Sequence, residues 1–380
     1  MAVNTLTRGR LRRLADVHPD HGRVLSVFMN LDPSEVPTPK ARSSAVTSVL
    51  TEAARRVDEA GDLDHDERQA LRADIDSVRE VLTGTGVAAD GARAVAVFAC
   101  RPADLLEVVS LRHPLESRVV LDDSPYVEPL VHVGAAERWC VLLANRRAAR
   151  LFVGDGDELE ETDRIEDDVH RRHDQGGWSQ ANYQRSIDKE VEDHLAHTAE
   201  VAFELYKRRG FDRMLLGTPE ELVADLEAKL HPYLRERLSG HISCDVEHAG
   251  LDAVRRCAGE RIEEHATDRE RELLGRLAQA VGSGDRGAGG LAAVLAALNE
   301  ARVEVLLVSR GMTAAGVCDP ATGLLYATPE DVPDGATATP VADVVEKAIE
   351  KAIEQSTDVV GIRHHEDLGP LGGIGAVLRY

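Results

Sequence analysis

Hydrophobic and polar residues follow one another in blocks along the 380-residue chain, and the blocks predict strands and helices. Short hydrophobic runs at residues 23–31 and 93–100 indicate buried strands. Residues 38–60 and 64–82 carry hydrophobic side chains at helical spacing. Two shorter strands are expected at residues 105–111 and 118–121. The first segment therefore predicts a sheet flanked by helices.

The second segment predicts a further sheet with long helices. Its strands are expected at residues 139–144, 149–153 and 211–216, and its long helices at residues 182–209 and 252–281. The acidic residues 155–168 are interpreted as irregular. Thr218-Pro219-Glu220-Glu221 has the pattern of a capping box with proline in the first turn, so a helix should begin there.

A glycine-rich run at residues 282–290 separates the third segment. Its first six residues match G-x-G-x-x-G, but a helix precedes them instead of the strand that a dinucleotide site requires, so a linker is predicted. Helices and strands then alternate, which predicts an α/β sandwich. The chain as a whole is expected to be an α/β protein of three domains, residues 1–135, 136–281 and 282–380.

Composition narrows the classes of function. The 45 Lys and Arg against 67 Asp and Glu give a net charge of −22, which disfavours a generic electropositive nucleic-acid binder. The five cysteines are scattered along the chain, which is typical of a protein with reduced thiols. The hydrophobic runs are too short to span a membrane. Cytoplasmic localisation is therefore expected. The segment His241-Ile-Ser-Cys244 lacks a second cysteine pair, so neither a metal nor another cofactor is predicted.

The segment from residue 171 to residue 180 is the most unusual in the chain. It places Arg171, Arg172 and His173 before a glycine pair and a tryptophan, just ahead of a long predicted helix. Glycines allow a backbone to approach a ligand closely. Trp178 could stack on a nucleic-acid base or fold back onto its own domain, and residue types alone leave both open.

At this segment the sequence resembles the archaeal and eukaryotic class-1 release factors and Pelota. That family carries a Gly-Gly-Gln loop before a long helix, preceded by His-Gly-Arg, and residues 173–179 align with it without a gap. The segment Leu371-Gly-Gly-Ile-Gly-Ala-Val-Leu-Arg-Tyr380 is similar to the family's closing sequence. The resemblance implies an N-domain that faces the ribosomal A site, a ribonuclease-H-like middle domain, and a C-domain like the kink-turn-binding ribosomal proteins.

The resemblance also implies a site. We expect contacts with ribosomal RNA, and with P-site tRNA, from the side chains and glycines of the loop, its following helix and the first domain. These residues are Arg171, Arg172, His173, Gly176, Gly177, Trp178, Ser179, Arg185, Lys40 and Arg42. Arg146, Arg147 and Arg150 are expected to add a local basic cluster. The family's docking of a translational GTPase of the elongation-factor-Tu class implies such a partner here.

Two departures from the family change which functions the resemblance implies. Trp178 stands where the family has its glutamine, and Thr38-Pro-Lys-Ala-Arg42 stands near the position of the Asn-Ile-Lys-Ser motif that reads stop codons. A factor that occupies the A site of stalled or idle ribosomes without decoding is therefore expected. The alternative is a peptidyl-tRNA hydrolase, for which Gln180 would have to replace the missing glutamine.

Overall fold

A computed structural model describes residues 6, 8–19, 21–61, 63–84, 92–111, 114–133, 137–154, 159–166, 180–284, 286–363 and 368–380, without side chains for residues 8 and 180–187. The chain forms two compact units. Unit 1 combines Met1–Ala135 with Glu270–Tyr380, and unit 2 is Ala136–Arg269. The first and third predicted domains thus lie in one unit, and the three-domain division stays a prediction.

An antiparallel sheet with helices on one face forms the N-terminal part of unit 1. In chain order its elements are α1 (Arg8–Ala15), β1 (Val24–Asn30), α2 (Pro39–Glu59), α3 (His65–Thr83), β2 (Ala94–Cys100), β3 (Leu105–Leu111), β4 (Arg118–Asp122) and α4 (Glu128–Val133). The strand order is β3-β2-β1-β4. Alternate residues of β1 point to opposite faces, so Leu25 and Val27 pack with α2 and α3, and Phe28 lies in a second core.

Unit 2 contains a five-stranded sheet. Its elements are β5 (Trp139–Ala144), β6 (Ala148–Gly154), β7 (Glu160–Glu166), α5 (Gln180–Arg209), β8 (Arg213–Gly217), α6 (Glu220–Lys229), α7 (Pro232–Arg235), β9 (Leu238–His241) and α8 (Leu251–Ser283), the last of which continues into unit 1. The order is β7-β6-β5-β8-β9, antiparallel among the first three strands and parallel from β5 to β9. This is the predicted ribonuclease-H-like topology.

The C-terminal part of unit 1 is the predicted α/β layer structure. It comprises β10 (Gly287–Gly289), α9 (Leu291–Asn299), β11 (Val303–Ser309), β12 (Gly316–Asp319), β13 (Leu324–Tyr326), β14 (Thr339–Val341), α10 (Val344–Glu354), β15 (Asp358–Ile362) and β16 (Ile374–Leu378). One sheet has the order β10-β16-β11-β15, and β12 pairs with β13 and β14 in a smaller sheet. The mixed α/β fold class is therefore confirmed.

Three local predictions are wrong. The acidic stretch contains strand β7, which pairs with β6 through its backbone and buries Ile165. The predicted glycine linker contains β10, where a Cβ at Gly287 would collide with the backbone of Val281. Helix α6 does begin at Glu220, where a helix start was predicted, but Thr218 does not cap it: Pro219 directly precedes the helix, and no described residue forms a hydrogen bond with the buried Thr218 hydroxyl.

A buried carboxylate connects the N-terminal and C-terminal parts of unit 1. Glu346 on α10 is 1% exposed and accepts hydrogen bonds from the backbone N–H groups of Val127 and Glu128, where α4 begins. Burial raises the pKa of Glu346, and the charge of nearby Glu350 adds to that effect. Glu350 in turn accepts from the hydroxyl of Ser124.

The core around this contact is continuous between the two parts of unit 1. Phe28 lies edge-on to Phe98 and Tyr126, with centroids 5.9 and 6.4 Å away. These rings belong to one cluster of buried side chains that includes Val345 and Ile349 of α10. The N-terminal sheet therefore uses one face for α2 and α3 and the other for the C-terminal layers.

We expect Glu346→Ala to destabilise unit 1 by about 2–6 kcal/mol, since it leaves two buried N–H groups without an acceptor and the cost of one is roughly 1–3 kcal/mol. Urea unfolding followed by circular dichroism measures the change. The exposed Glu330, also in unit 1, provides the control variant Glu330→Ala. Equal unfolding midpoints for the two variants would contradict the role given to Glu346.

Candidate functional site

The loop at the centre of the predicted site lies outside the described residues. Arg171, Arg172, His173, Gly176, Gly177, Trp178 and Ser179 all belong to it. Gln180 is the first residue of α5, two residues before the predicted start of that helix, and Arg185 lies in its second turn. The side chains of these two residues are not described, so the roles assigned to all nine residues stay predictions.

The two elements that flank the loop are both fixed to unit 2. Val191, Leu195 and Ala202 are buried on the face of α5 that packs into the core of the sheet. On the other side of the loop, β7 pairs with β6. Arg208 of α5 donates to Asp163 of β7 at 3.0 Å. The loop therefore begins and ends at elements whose positions are set by the same sheet.

Arg150 contributes to this arrangement from a nearly buried position. Its guanidinium donates to both carboxylate oxygens of Glu161, at 3.1 and 2.5 Å, and to the carbonyl of Ala249 at 2.8 Å. It also lies over the ring of Phe152 at 4.9 Å and is only 5% exposed. The hydrogen bonds of Arg150 lower the pKa of Glu161 to about 2. Arg150 is therefore not available to the basic cluster that was predicted with Arg146 and Arg147.

The other two arginines of that expected basic cluster also lie beside carboxylates. Arg147 donates to both oxygens of Glu247, at 3.0 and 2.7 Å. Arg146 lies 3.9 Å from Glu221. Both keep partial exposure, but their charges are balanced locally. These pairs could not be predicted from the sequence, because the partner carboxylates lie about 75–100 residues away in the chain.

Lys40 and Arg42 lie in the first turn of α2. Thr38 caps this helix by accepting from the backbone N–H of Ala41 at 3.1 Å, and Pro39 is its first residue. No carboxylate among the described residues pairs with Lys40 or Arg42, and Lys40 is exposed. Cations near a helix N-terminus do not benefit from the helix dipole, so helix stability does not explain them. Their predicted role in ribosome binding remains a prediction.

A row of aromatic rings on α5, α7 and the residues next to these helices was not predicted from the sequence. His231 lies flat on Phe203 with centroids 3.8 Å apart, and Tyr233 lies edge-on to His231 at 5.0 Å. Tyr206 continues the row to Phe211. These five side chains form the ring stack. The sequence signal was the pair of segments 203–211 and 231–237, rich in rings and cations in a chain with 3% aromatic residues.

Two further observations concern metal binding and membrane crossing. Among the residues that the structure describes, no three His, Cys, Asp or Glu side chains lie together as metal ligands would. His241 instead contacts Glu227, with 2.7 Å between its Nε2 and the carboxylate. No described helix is both long enough and apolar enough to cross a bilayer.

Residues 125–263 match the model of bacterial archaeo-eukaryotic release factor family 10. This range contains nearly all of unit 2, including the Gly-Gly-Trp loop. None of the curated proteins matches the sequence.

Several solved structures are similar over most of the chain. An archaeal translation termination factor, aRF1, is 17% identical and covers 99% of each chain with a TM-score of 0.27. Pelota from Archaeoglobus fulgidus is 18% identical over 76% of this chain and 79% of its own, with a TM-score of 0.33. Dom34 from S. cerevisiae is 10% identical over the same shares, with a TM-score of 0.41.

We expect Glu161→Gln to destabilise unit 2 by about 1–2 kcal/mol at neutral pH, because Arg150 loses its charged acceptor. A carboxylate with a lowered pKa stabilises the fold above its unfolded pKa, near 4.5, and loses that contribution as pH falls toward about 2. The variant's stability should therefore vary less between these pH values.

Thermal unfolding measured from pH 2 to pH 7 tests this expectation. The neighbouring Glu160 is exposed on the same strand, so Glu160→Gln is the matched control. The same pH profile for Glu161→Gln and wild type would show that this ion pair does not fasten β7.

The resemblance to release factors predicted from the sequence is confirmed for residues 125–263, which match the model of bacterial archaeo-eukaryotic release factor family 10.

Proposed function

We propose that this protein is a ribosome-associated factor of the release-factor and Pelota type, which occupies the A site of stalled or idle ribosomes without reading a stop codon. The observation that carries the proposal is the match of residues 125–263 to a release-factor family model, because that range holds the loop with Gly176, Gly177 and Trp178. Rescue or hibernation in the cytoplasm is the corresponding role.

The first domain supports binding without decoding. It lacks the Asn-Ile-Lys-Ser motif, and the exposed Lys40 with Arg42 stands in that neighbourhood without an ion-pair partner in the described part of the chain. Cations of this kind bind phosphates and give salt-sensitive association. The net charge of −22 limits non-specific association with other RNA.

The loop is proposed to bind RNA and not to hydrolyse the peptidyl-tRNA ester. Release requires a water held at the ester carbonyl, which the family's glutamine helps to position. Trp178 retains its backbone N–H, but its indole has a single donor and no acceptor and would fill the volume of that water. Gln180 is the first residue of α5, so its backbone belongs to the helix. Loss of one well-placed hydrogen-bonding group costs a factor of about 10²–10³ in rate.

A translational GTPase of the elongation-factor-Tu class is the proposed protein partner. One similar protein, S. cerevisiae Dom34, is described as interacting with Hbs1, and an archaeal Pelota is described as ribosome-bound with ABCE1. The closing glycines have a packing role as well, since a Cβ at Gly375 would collide with Leu277 of α8. Partner recruitment is therefore best tested by pull-down of the intact chain.

We expect the protein to co-sediment with ribosomes at low salt and to be released as salt rises. Trp178→Ala should weaken this association by about 10-fold, since stacking of a base on an aromatic ring contributes roughly 1–3 kcal/mol. Sedimentation with ribosomes that have empty or tRNA-loaded A sites measures the effect. Failure of the wild-type protein to co-pellet in either state would refute the proposed function.

We expect the wild-type protein to release no peptide above background from stalled ribosomes. Trp178→Gln restores the family's residue and should raise the release rate, because an amide side chain provides both a donor and an acceptor. Peptide release from purified complexes is the measurement. Robust wild-type release that Gln180→Ala abolishes would instead establish the hydrolase alternative.

A further inference from the structure

We propose that the ring stack and its adjacent cations form a second RNA-binding surface on unit 2, at which an unpaired base stacks on Tyr233. The proposal rests on the proposed function, because ribosomal RNA is the RNA that such a factor would meet. The surface is distinct from the loop that precedes α5. Phe203 lies 23 residues after Gln180 on the same helix, which corresponds to about 35 Å.

Tyr233 is an exposed ring in a fixed position. Its relative exposure is 54%, although large hydrophobic side chains in this chain are mostly buried. Its backbone N–H donates to Nδ1 of His231 at 3.3 Å, and the His231 ring lies flat on Phe203 with 12° between their planes. A ring that is already ordered loses little conformational entropy when a base stacks on it.

Cations lie against the faces of this row of rings. The ammonium of Lys207 lies 5.0 Å from the centre of Phe203, and the guanidinium of Arg237 lies 4.6 Å from the centre of Tyr206. Arg237 also donates to the carbonyl of Tyr233 at 2.7 Å, which holds the cation beside the exposed ring. Lys207 is also ion-paired with Glu204, so Arg237 is the cation–aromatic contact that fixes positive charge at this surface.

Two further cations lie in the same two chain segments as the rings. Arg209 and Arg235 are exposed, and no carboxylate in the described ranges pairs with either. Segments 203–212 and 231–237 together carry five Lys or Arg and three Asp or Glu, in a chain whose net charge is −22. A locally positive surface on an acidic protein is complementary to a polyanion.

An exposed ring with unpaired cations in the same chain segments fits single-stranded RNA better than a protein. Each nucleotide offers a base to stack and a phosphate to neutralise, and proteins that bind single strands combine these two contacts. A protein partner would use Tyr233 as an apolar anchor but would need carboxylates opposite Arg209 and Arg235. RNA therefore accounts for both features with one ligand.

The test uses the full chain and a labelled single-stranded oligoadenylate of about 12 nucleotides, with binding followed by fluorescence anisotropy. Tyr233→Ala should weaken binding about 10-fold, whereas Tyr233→Phe should bind like wild type because it keeps the ring. Tyr380→Ala is the matched control, since Tyr380 is 68% exposed and has the guanidinium of Arg302 at 5.7 Å from its ring. Circular dichroism verifies that each variant is folded.

Salt dependence provides an independent measurement. Arg235→Gln should reduce the slope of log affinity against log salt by about 0.7, the value for one phosphate contact on a single strand. Wild-type protein without measurable oligonucleotide binding, or Tyr233→Ala with wild-type affinity, would overturn the proposal. Weaker ribosome association of Tyr233→Ala with unchanged oligonucleotide binding would also overturn it, in favour of a protein contact.

The same variants separate this inference from the proposed function. If the wild-type protein co-sediments with ribosomes, and Tyr233→Ala changes neither this co-sedimentation nor oligonucleotide binding, the second surface is rejected and the proposed function is kept. Oligonucleotide binding that depends on Tyr233 without any ribosome co-sedimentation keeps the surface and rejects the proposed function.

Discussion

Unit 1 depends on one buried carboxylate. Glu346 accepts the N–H groups of Val127 and Glu128, two residues about 220 positions earlier in the chain. These donors begin α4 and would otherwise be buried without an acceptor, which is costly in a protein interior. The contact therefore specifies how α10 meets the N-terminal sheet, and the rings of Phe28 and Tyr126 fill the core beside it.

Hydrophobic patterning was sufficient to predict most regular elements of both units. Strands such as β1, β2 and β5 are buried along their whole length, so their hydrophobic runs gave a clear signal. Strand β7 has no such hydrophobic run, because only Ile165 is buried and the strand is held by backbone pairing at the edge of the sheet. The short helices α1 and α4 were also missed, since their packing partners lie far away in the sequence.

The predicted site could be specified from the sequence only in part. Motif order identified the loop and its helix because such motifs are local. Charge pairing depends on the tertiary fold. The sequence therefore could not indicate that Arg150 donates its hydrogen bonds to Glu161 and to the carbonyl of Ala249. The ring stack could not be predicted for the same reason: Phe203 and His231 lie 28 residues apart in the chain, and they meet because α6 packs on α5 and ends just before His231.

Strand β7 has a further consequence for the protein's solubility. It lies at the edge of its sheet, where unpaired backbone groups could add a strand from another chain. Five of its seven residues are charged, and four of those are acidic. A second copy approaching this edge would bring like charges together before its backbone could pair. The residues that weakened the sequence signal for β7 thus protect the sheet from growing beyond one molecule.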